Sequence, residues 1–139
     1  MSIEKKYSKK IVSGKRKTAV SRAVIIEGNG KVTINGKPVS ILNFFDKLQI
    51  EEPLKIAEHV LGKINFDVEI ITKGGGEKGQ IDSARLALAR AISEFENSKE
   101  LTEAFLSYDR NLLVADVRRK ETYKPGDSKA RAKRQSSKR

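Results

Sequence analysis

The chain has 139 residues, carries 29 Lys/Arg against 18 Asp/Glu for a net charge of +11, and contains no cysteine. That length suits a single domain with a modest core. The missing cysteine excludes disulfides, thiolate metal sites and a cysteine nucleophile, and no apolar run approaches the ~20 residues of a membrane-spanning helix.

Charge is segregated along the chain. Residues 1–22 carry +7, residues 23–116 carry −4 and residues 117–139 carry +8. A mildly acidic body between two basic ends points to a nucleic acid or an anionic membrane. The tail lacks the Leu/Phe/Trp face of an interfacial helix, which favours nucleic acid. Met1–Lys6 has no apolar stretch behind its charges, so it does not read as a secretory signal, and a cytoplasmic protein is expected. The expected organisation is a basic N-terminal extension over residues 1–12, a globular body over 13–116 and a basic tail over 117–139.

In chain order, Lys17–Glu27 reads as a strand ended by Gly28-Asn29-Gly30. Lys31–Ile34 reads as a return strand closed by Asn35-Gly36, so the two should form a β-hairpin. Ile41, Phe44, Phe45 and Leu48 fall at helical spacing behind Ser40 as N-cap. Pro53 is expected to start a second helical piece, with Leu54, Ala57, Val60 and Leu61 on one face up to Gly62. Phe66, Val68 and Ile70 alternate with Asp67 and Glu69 as a half-buried strand. Ile81, Ala84, Leu88, Ala91, Ile92 and Phe95 form one helical stripe. A short helix with Leu101, Ala104, Phe105 and Tyr108 on one face follows, and Leu112–Ala115 reads as a last buried strand. The order β-β-α-α-β-α-α-β predicts an α+β fold, a two-layer sheet-and-helix domain.

After Val117 no aliphatic residue is larger than alanine and Tyr123 is the one aromatic. Such a segment cannot bury enough surface to offset its ordering entropy, so it is expected to be an extended arm shaped by a polyanion. Fully extended, its 23 residues would span up to ~75 Å.

Gly74, Gly76 and Gly79 satisfy the letters of G-x-G-x-x-G, but no acid follows at the end of a next strand, and Gln80-Ile81 stand where a P-loop needs Lys and Ser/Thr. The loop reads either as a turn or as a place where backbone amides, Lys73 and Lys78 approach a phosphate backbone. His59 is a lone histidine in an amphipathic helix and suits neither metal binding nor a serine elbow. Glu51-Glu52 precede Pro53, where negative charge favours a helix start. Gly14–Arg22 concentrates Lys15, Arg16, Lys17 and Arg22 at one strand end. That concentration exceeds the needs of edge protection and suits phosphate contact. The long helix carries only Arg85 and Arg90 among alanines, which is poor material for a DNA-recognition helix. No catalytic constellation, cofactor site or metal site stands out.

Taken in order, Gly14–Arg22, Gly28–Pro38, Gly74–Gln80 and Gln135–Arg139 resemble the ninth protein of the small ribosomal subunit. Gly126–Arg134 is similar to archaeal and eukaryotic members, and Ser136 stands where bacterial members often carry an aromatic. The resemblance implies a non-enzymatic structural protein whose domain is like the second domain of ribosomal protein five. It implies partners in small-subunit rRNA of the 16S type, neighbouring head proteins and peptidyl-site tRNA. Contact with rRNA would fall to Lys15, Arg16, Lys17 and Arg22 near the start, and to Lys73, Gly74, Gly75, Gly76, Lys78, Gln80 and Arg85 around the long helix. In the tail it would fall to Arg118, Arg119, Lys120, Tyr123, Lys124, Lys129, Arg131, Lys133 and Arg134. Ser137, Lys138 and Arg139 would reach the tRNA.

Overall fold

The computed structural model describes residues 9–136, and Ser137, Lys138 and Arg139 lie outside them. Five strands make one sheet. β1 (Lys10–Arg16) and β2 (Ala19–Glu27) form an antiparallel hairpin, with Arg16 opposite Ala19 and Lys10 opposite Ile25. β3 (Val32–Ile34) and β4 (Lys37–Pro38) form a second hairpin around Asn35-Gly36. Asn35 and Gly36 both take positive φ, 51° and 77°, as that turn requires. β5 (Phe66–Lys73) is antiparallel to β2 and parallel to β3, giving the order β1-β2-β5-β3-β4.

The expected hairpin between the second and third strands is therefore not formed, because β5 occupies the place between them. Gly28-Asn29-Gly30 is a real turn, but it carries the chain past the start of β5. Gly28 and Gly30 amides bond the carbonyls of Asn65 and Phe66 at 3.1 and 3.0 Å. Asp67 Oδ1 accepts from the Asn29 and Lys31 amides at 2.9 and 2.8 Å.

The helices lie on one face of the sheet. α1 (Phe44–Leu61) is a single helix that runs through Pro53, not two pieces, and its N-cap position is Asn43 rather than Ser40. Ser40 instead lies in a 3-10 turn, Val39–Ile41. A proline inside a helix forfeits one hydrogen bond, yet Ile50, Pro53 and Ala57 are buried on the same side, and their packing keeps the helix continuous. Glu51 and Glu52 accordingly sit mid-helix. α2 (Glu77–Glu96) lies across β1, β2 and β5, with α1 against its other side and α3 (Lys99–Tyr108) against α1. Being covered on both sides, α2 buries Ala89 and Leu86 as well as its sheet-facing stripe. Leu112–Ala115 is not a strand: Arg110–Leu112 is a 3-10 turn that plugs Leu112 into the core. The core joins Ile25, Phe66 and Ile70 of the sheet to Ile50, Leu88, Ile92, Leu101 and Phe105 of the helices.

Small residues let the layers close. A Cβ on Gly14 would lie 2.5 Å from Ser83 O and 2.6 Å from Ala87 N, so only glycine allows α2 this close to β1. One step along the same contact, Ser21 Oγ and Ser83 Oγ are 2.6 Å apart and fully buried.

Candidate nucleic-acid interface

Because the helices take one face of the sheet, the opposite face is open among the described residues. Strand register decides what it shows. Lys15 stands opposite Val20, and Val20 opposite Lys73; Ser13 stands opposite Arg22, and Arg22 opposite Ile71. Residues opposite one another share a face, so Lys15, Arg22 and Lys73 are gathered on the open face, interleaved with exposed Val20 and Ile71. Lys17 stands at the hairpin tip beside them, with φ 54°. Three of these four cations come from the basic strand start, and Lys73 joins them only through β5.

Arg16 does not join that group. It falls on the helix side of β1, where its side chain is mostly buried and pairs with Asp82 at 3.9 Å and Asp116 at 3.6 Å. Arg85 is likewise tied into the body, to Glu52 at 2.5 Å and Asp109 at 3.2 Å. Lys78 donates to Asp46, a buried carboxylate, at 2.5 Å. That hydrogen bond, more than anything else, raises the lysine pKa above its ordinary value. Which acids would engage Arg16, Arg85 and Lys78 depends on tertiary pairing between distant segments, and no local signal in the sequence marks Asp46, Asp82, Asp109 or Asp116 for that role.

The glycine loop is built against the first hairpin. Gly74 and Gly75 take positive φ, and a Cβ on either would meet Thr18 O at 2.7 Å or Ala19 Cβ at 2.9 Å. Gln80 Nε2 donates back to Gly74 O at 3.2 Å and closes the loop. Close approach is thus used for packing on Thr18-Ala19, while Gly76, at the N-cap of α2, faces open space. Glu77, Lys78, Gly79 and Gln80 form the first turn of α2, earlier than the stripe from Ile81 suggests.

The tail leaves the body through Asp116. Its carboxylate bonds the amide and guanidinium of Arg118 at 2.8–3.1 Å, and these bonds hold its pKa down at about 2. The Arg118 pKa is raised by the same bonds. Beyond it the described tail turns back on itself, in place of a straight extended arm. The Asp127 amide bonds Lys124 O at 3.2 Å, with Gly126 at φ 81°. Arg131 Nε donates to Glu121 at 2.9 Å, and Arg134 Nε donates to Gly126 O at 2.7 Å. Lys120 Nζ lies 4.4 Å from the Tyr123 ring centroid. Arg119, Lys120, Lys124, Lys129 and Lys133 are exposed. Among the described residues no cluster of His and acidic side chains could hold a metal ion, and no helix is long and apolar enough to cross a membrane.

Residues 14–139 match the family described as ribosomal protein S9/S16. Small ribosomal subunit protein uS9 of Methanococcus vannielii is 49% identical over 127 residues, covering 89% of this chain and 93% of the relative. The proteins of the same name from two strains of Methanococcus maripaludis are 49% and 48% identical over the same shares. The chain is therefore a ribosomal protein of the small subunit, a structural constituent and not an enzyme. It belongs to the ribosomal protein S9/S16 family. The resemblance seen in its motifs is borne out, and the relatives named are archaeal, one of the two groups that Gly126–Arg134 resembles.

Proposed function

We propose that this protein binds rRNA in the head of the small subunit through the open face of its sheet, its hairpin tip and its tail, and that its last residues touch peptidyl-site tRNA. One observation carries the first part: the register that places Lys15, Arg22 and Lys73 on one uncovered face, with Lys17 at its edge. Cations held on a rigid sheet track phosphates, and the interleaved Val20 and Ile71 suit sugar and base surfaces between them. The five-stranded sheet with helices on one face is in keeping with a domain like the second domain of ribosomal protein five. Arg16, Arg85 and Gln80 act here by positioning: they hold the tail root, α1 against α2, and the glycine loop. The tail cations Arg118, Arg119, Lys120, Lys124, Lys129, Arg131, Lys133 and Arg134 supply further phosphate contacts, with Arg131 and Arg134 exchanging their internal acceptors for phosphate oxygens.

The test is salt dependence. Log affinity of the free chain for rRNA should fall with log salt by roughly 0.7–0.9 per neutralised phosphate. Replacing Lys15, Arg22 and Lys73 by alanine should make the slope shallower by about 2–3; an unchanged slope would remove the open face from the interface. For the tRNA contact, subunits lacking Lys138 and Arg139 should assemble normally and hold peptidyl-site tRNA more weakly. Equal tRNA retention would end that assignment.

A further inference from the structure

We infer that Arg90 is a positioning residue for RNA binding: it holds the tail root along the edge of β1, so that the tail root and the cationic end of the open face grip one RNA backbone as a unit. The inference rests on the reading that both elements bind rRNA. β1 is an edge strand, and Arg90 reaches its outer side from α2. Its Nη1 donates to Ser13 O at 3.1 Å and its Nε to Leu113 O at 2.8 Å. Further along, Arg16 Nη1 donates to Arg118 O at 3.5 Å, and Arg16 Nη2 lies 3.6 Å from Asp116. Among the described residues no backbone hydrogen bond joins 113–118 to β1. Val114 and Val117 are 39% and 85% exposed, so apolar burial holds little of the segment beyond Leu113. Two guanidinium groups, in place of a strand ladder, fix the tail root here.

These bonds also set a direction. Leu113 is tied beside Ser13 and Arg118 beside Arg16, so the tail root runs parallel to β1, toward the Lys17-Thr18 tip. That tip is the end of the sheet where Lys15, Arg22 and Lys73 are gathered. Lys15 and Arg118 accordingly line one hollow of about 180 Å³, with Arg16 and Asp116 in its wall. Lys15, Arg118 and Arg119 are exposed, whereas Arg16 is spent on internal partners. An RNA strand lying against this end of the sheet meets the sheet cations and the Arg118-Arg119 pair together. When two contacts are rigidly joined, the second forms at high effective concentration once the first is made. A slack tail root would keep every cation and lose that gain.

Arg90→Met keeps the apolar stem and removes both bonds, and its binding to rRNA as a free, full-length chain tests this. Affinity should fall about tenfold. The slope of log affinity on log salt, which counts neutralised phosphates, should stay that of the parent. A slope shallower by about 0.7–0.9 would make Arg90 itself a phosphate contact, and an unchanged affinity would leave the clasp without a role; either result overturns the inference. In the Lys15→Ala/Arg22→Ala/Lys73→Ala background the tail has no cationic face to align with, so Arg90→Met should cost nothing further. An equal loss in that background would show a merely structural effect and overturn the inference too. Arg90→Lys keeps the charge but not the planar fork that spans two carbonyls, so it should behave as Arg90→Met does; parental affinity would assign the effect to charge instead. The chain has no cysteine, so spin labels at Glu58→Cys and Thr122→Cys can report the tail root directly. Their distance distribution should broaden in both Arg90 variants, and one as narrow as the parent's would contradict the clasp. The salt slope of the triple alanine variant alone decides whether the open face binds RNA, so the two readings fail separately.

Discussion

Asp116 Oδ2 lies 3.6 Å from Arg16 Nη2 while the same carboxylate binds Arg118, so one acid joins the first hairpin to the root of the tail. The pKa of Asp116 is lowered from 3.8 to about 2 by its hydrogen bonds with Arg118, with Arg16 adding to the effect. A depressed carboxyl pKa stabilises the folded state above the unfolded pKa, and the contribution is lost as pH falls through the folded one. The difference in thermal midpoint between the parent and Asp116→Asn should therefore be full at neutral pH and shrink as pH falls from 3.8 towards 2. A difference independent of pH over that window would show that Asp116 acts by packing alone.

Gly14→Ala should be strongly destabilising. The added methyl would press on backbone atoms of Ser83 and Ala87 at 2.5 and 2.6 Å, and neither can rotate away. Overpacking of this type costs about 1–3 kcal/mol, measurable as a lowered urea midpoint with an unchanged slope. Ala in place of Gly76, which has open space beyond its Cβ, should cost far less.

The buried serine pair gives an asymmetric prediction. Ser83 Oγ also donates to Gln80 O at 2.9 Å, so it keeps a partner when Ser21 is removed. Among the described residues Ser21 Oγ has no such second bond. Ser83→Ala strands a buried hydroxyl and should cost about 1–3 kcal/mol, whereas Ser21→Ala should cost nearer 0.5–1.5 kcal/mol. The double variant should cost less than the sum of the two, as a double-mutant cycle would reveal.

These contacts also explain which parts of the fold were legible beforehand. β5 and α2 are plain in the sequence because Phe66, Val68 and Ile70 keep period two and Ile81–Phe95 keeps a helical stripe. β1 is hidden: within Lys10–Arg16 only Ile11 and Val12 are large and apolar, and its inward positions are Val12 and Gly14. Its turn, Lys17-Thr18, carries none of the glycine or asparagine that usually marks a hairpin. The turn at Gly28–Gly30 is legible, but local chemistry cannot show that β5, some forty residues later, enters between β2 and β3.

The site followed the same rule. Lys15, Lys17 and Arg22 stand out as a charge cluster, but pleat parity alone groups Lys15 with Lys17 and Ser21 and sets Arg16 beside Arg22. Only the β1–β2 register turns Lys15 and Arg22 to one face and sends Arg16 to Asp116. The outward turn of Phe44 and Phe45 was equally hidden, because helical spacing does not say which of two apolar stripes faces the core.

The central claim is that the open face of the sheet, and not the helix side, meets RNA. A density map of the assembled small subunit tests it directly. The account predicts rRNA phosphates against Lys15, Arg22 and Lys73. RNA packed on α1, with the Lys15–Arg22–Lys73 face turned to solvent or to protein, would contradict it.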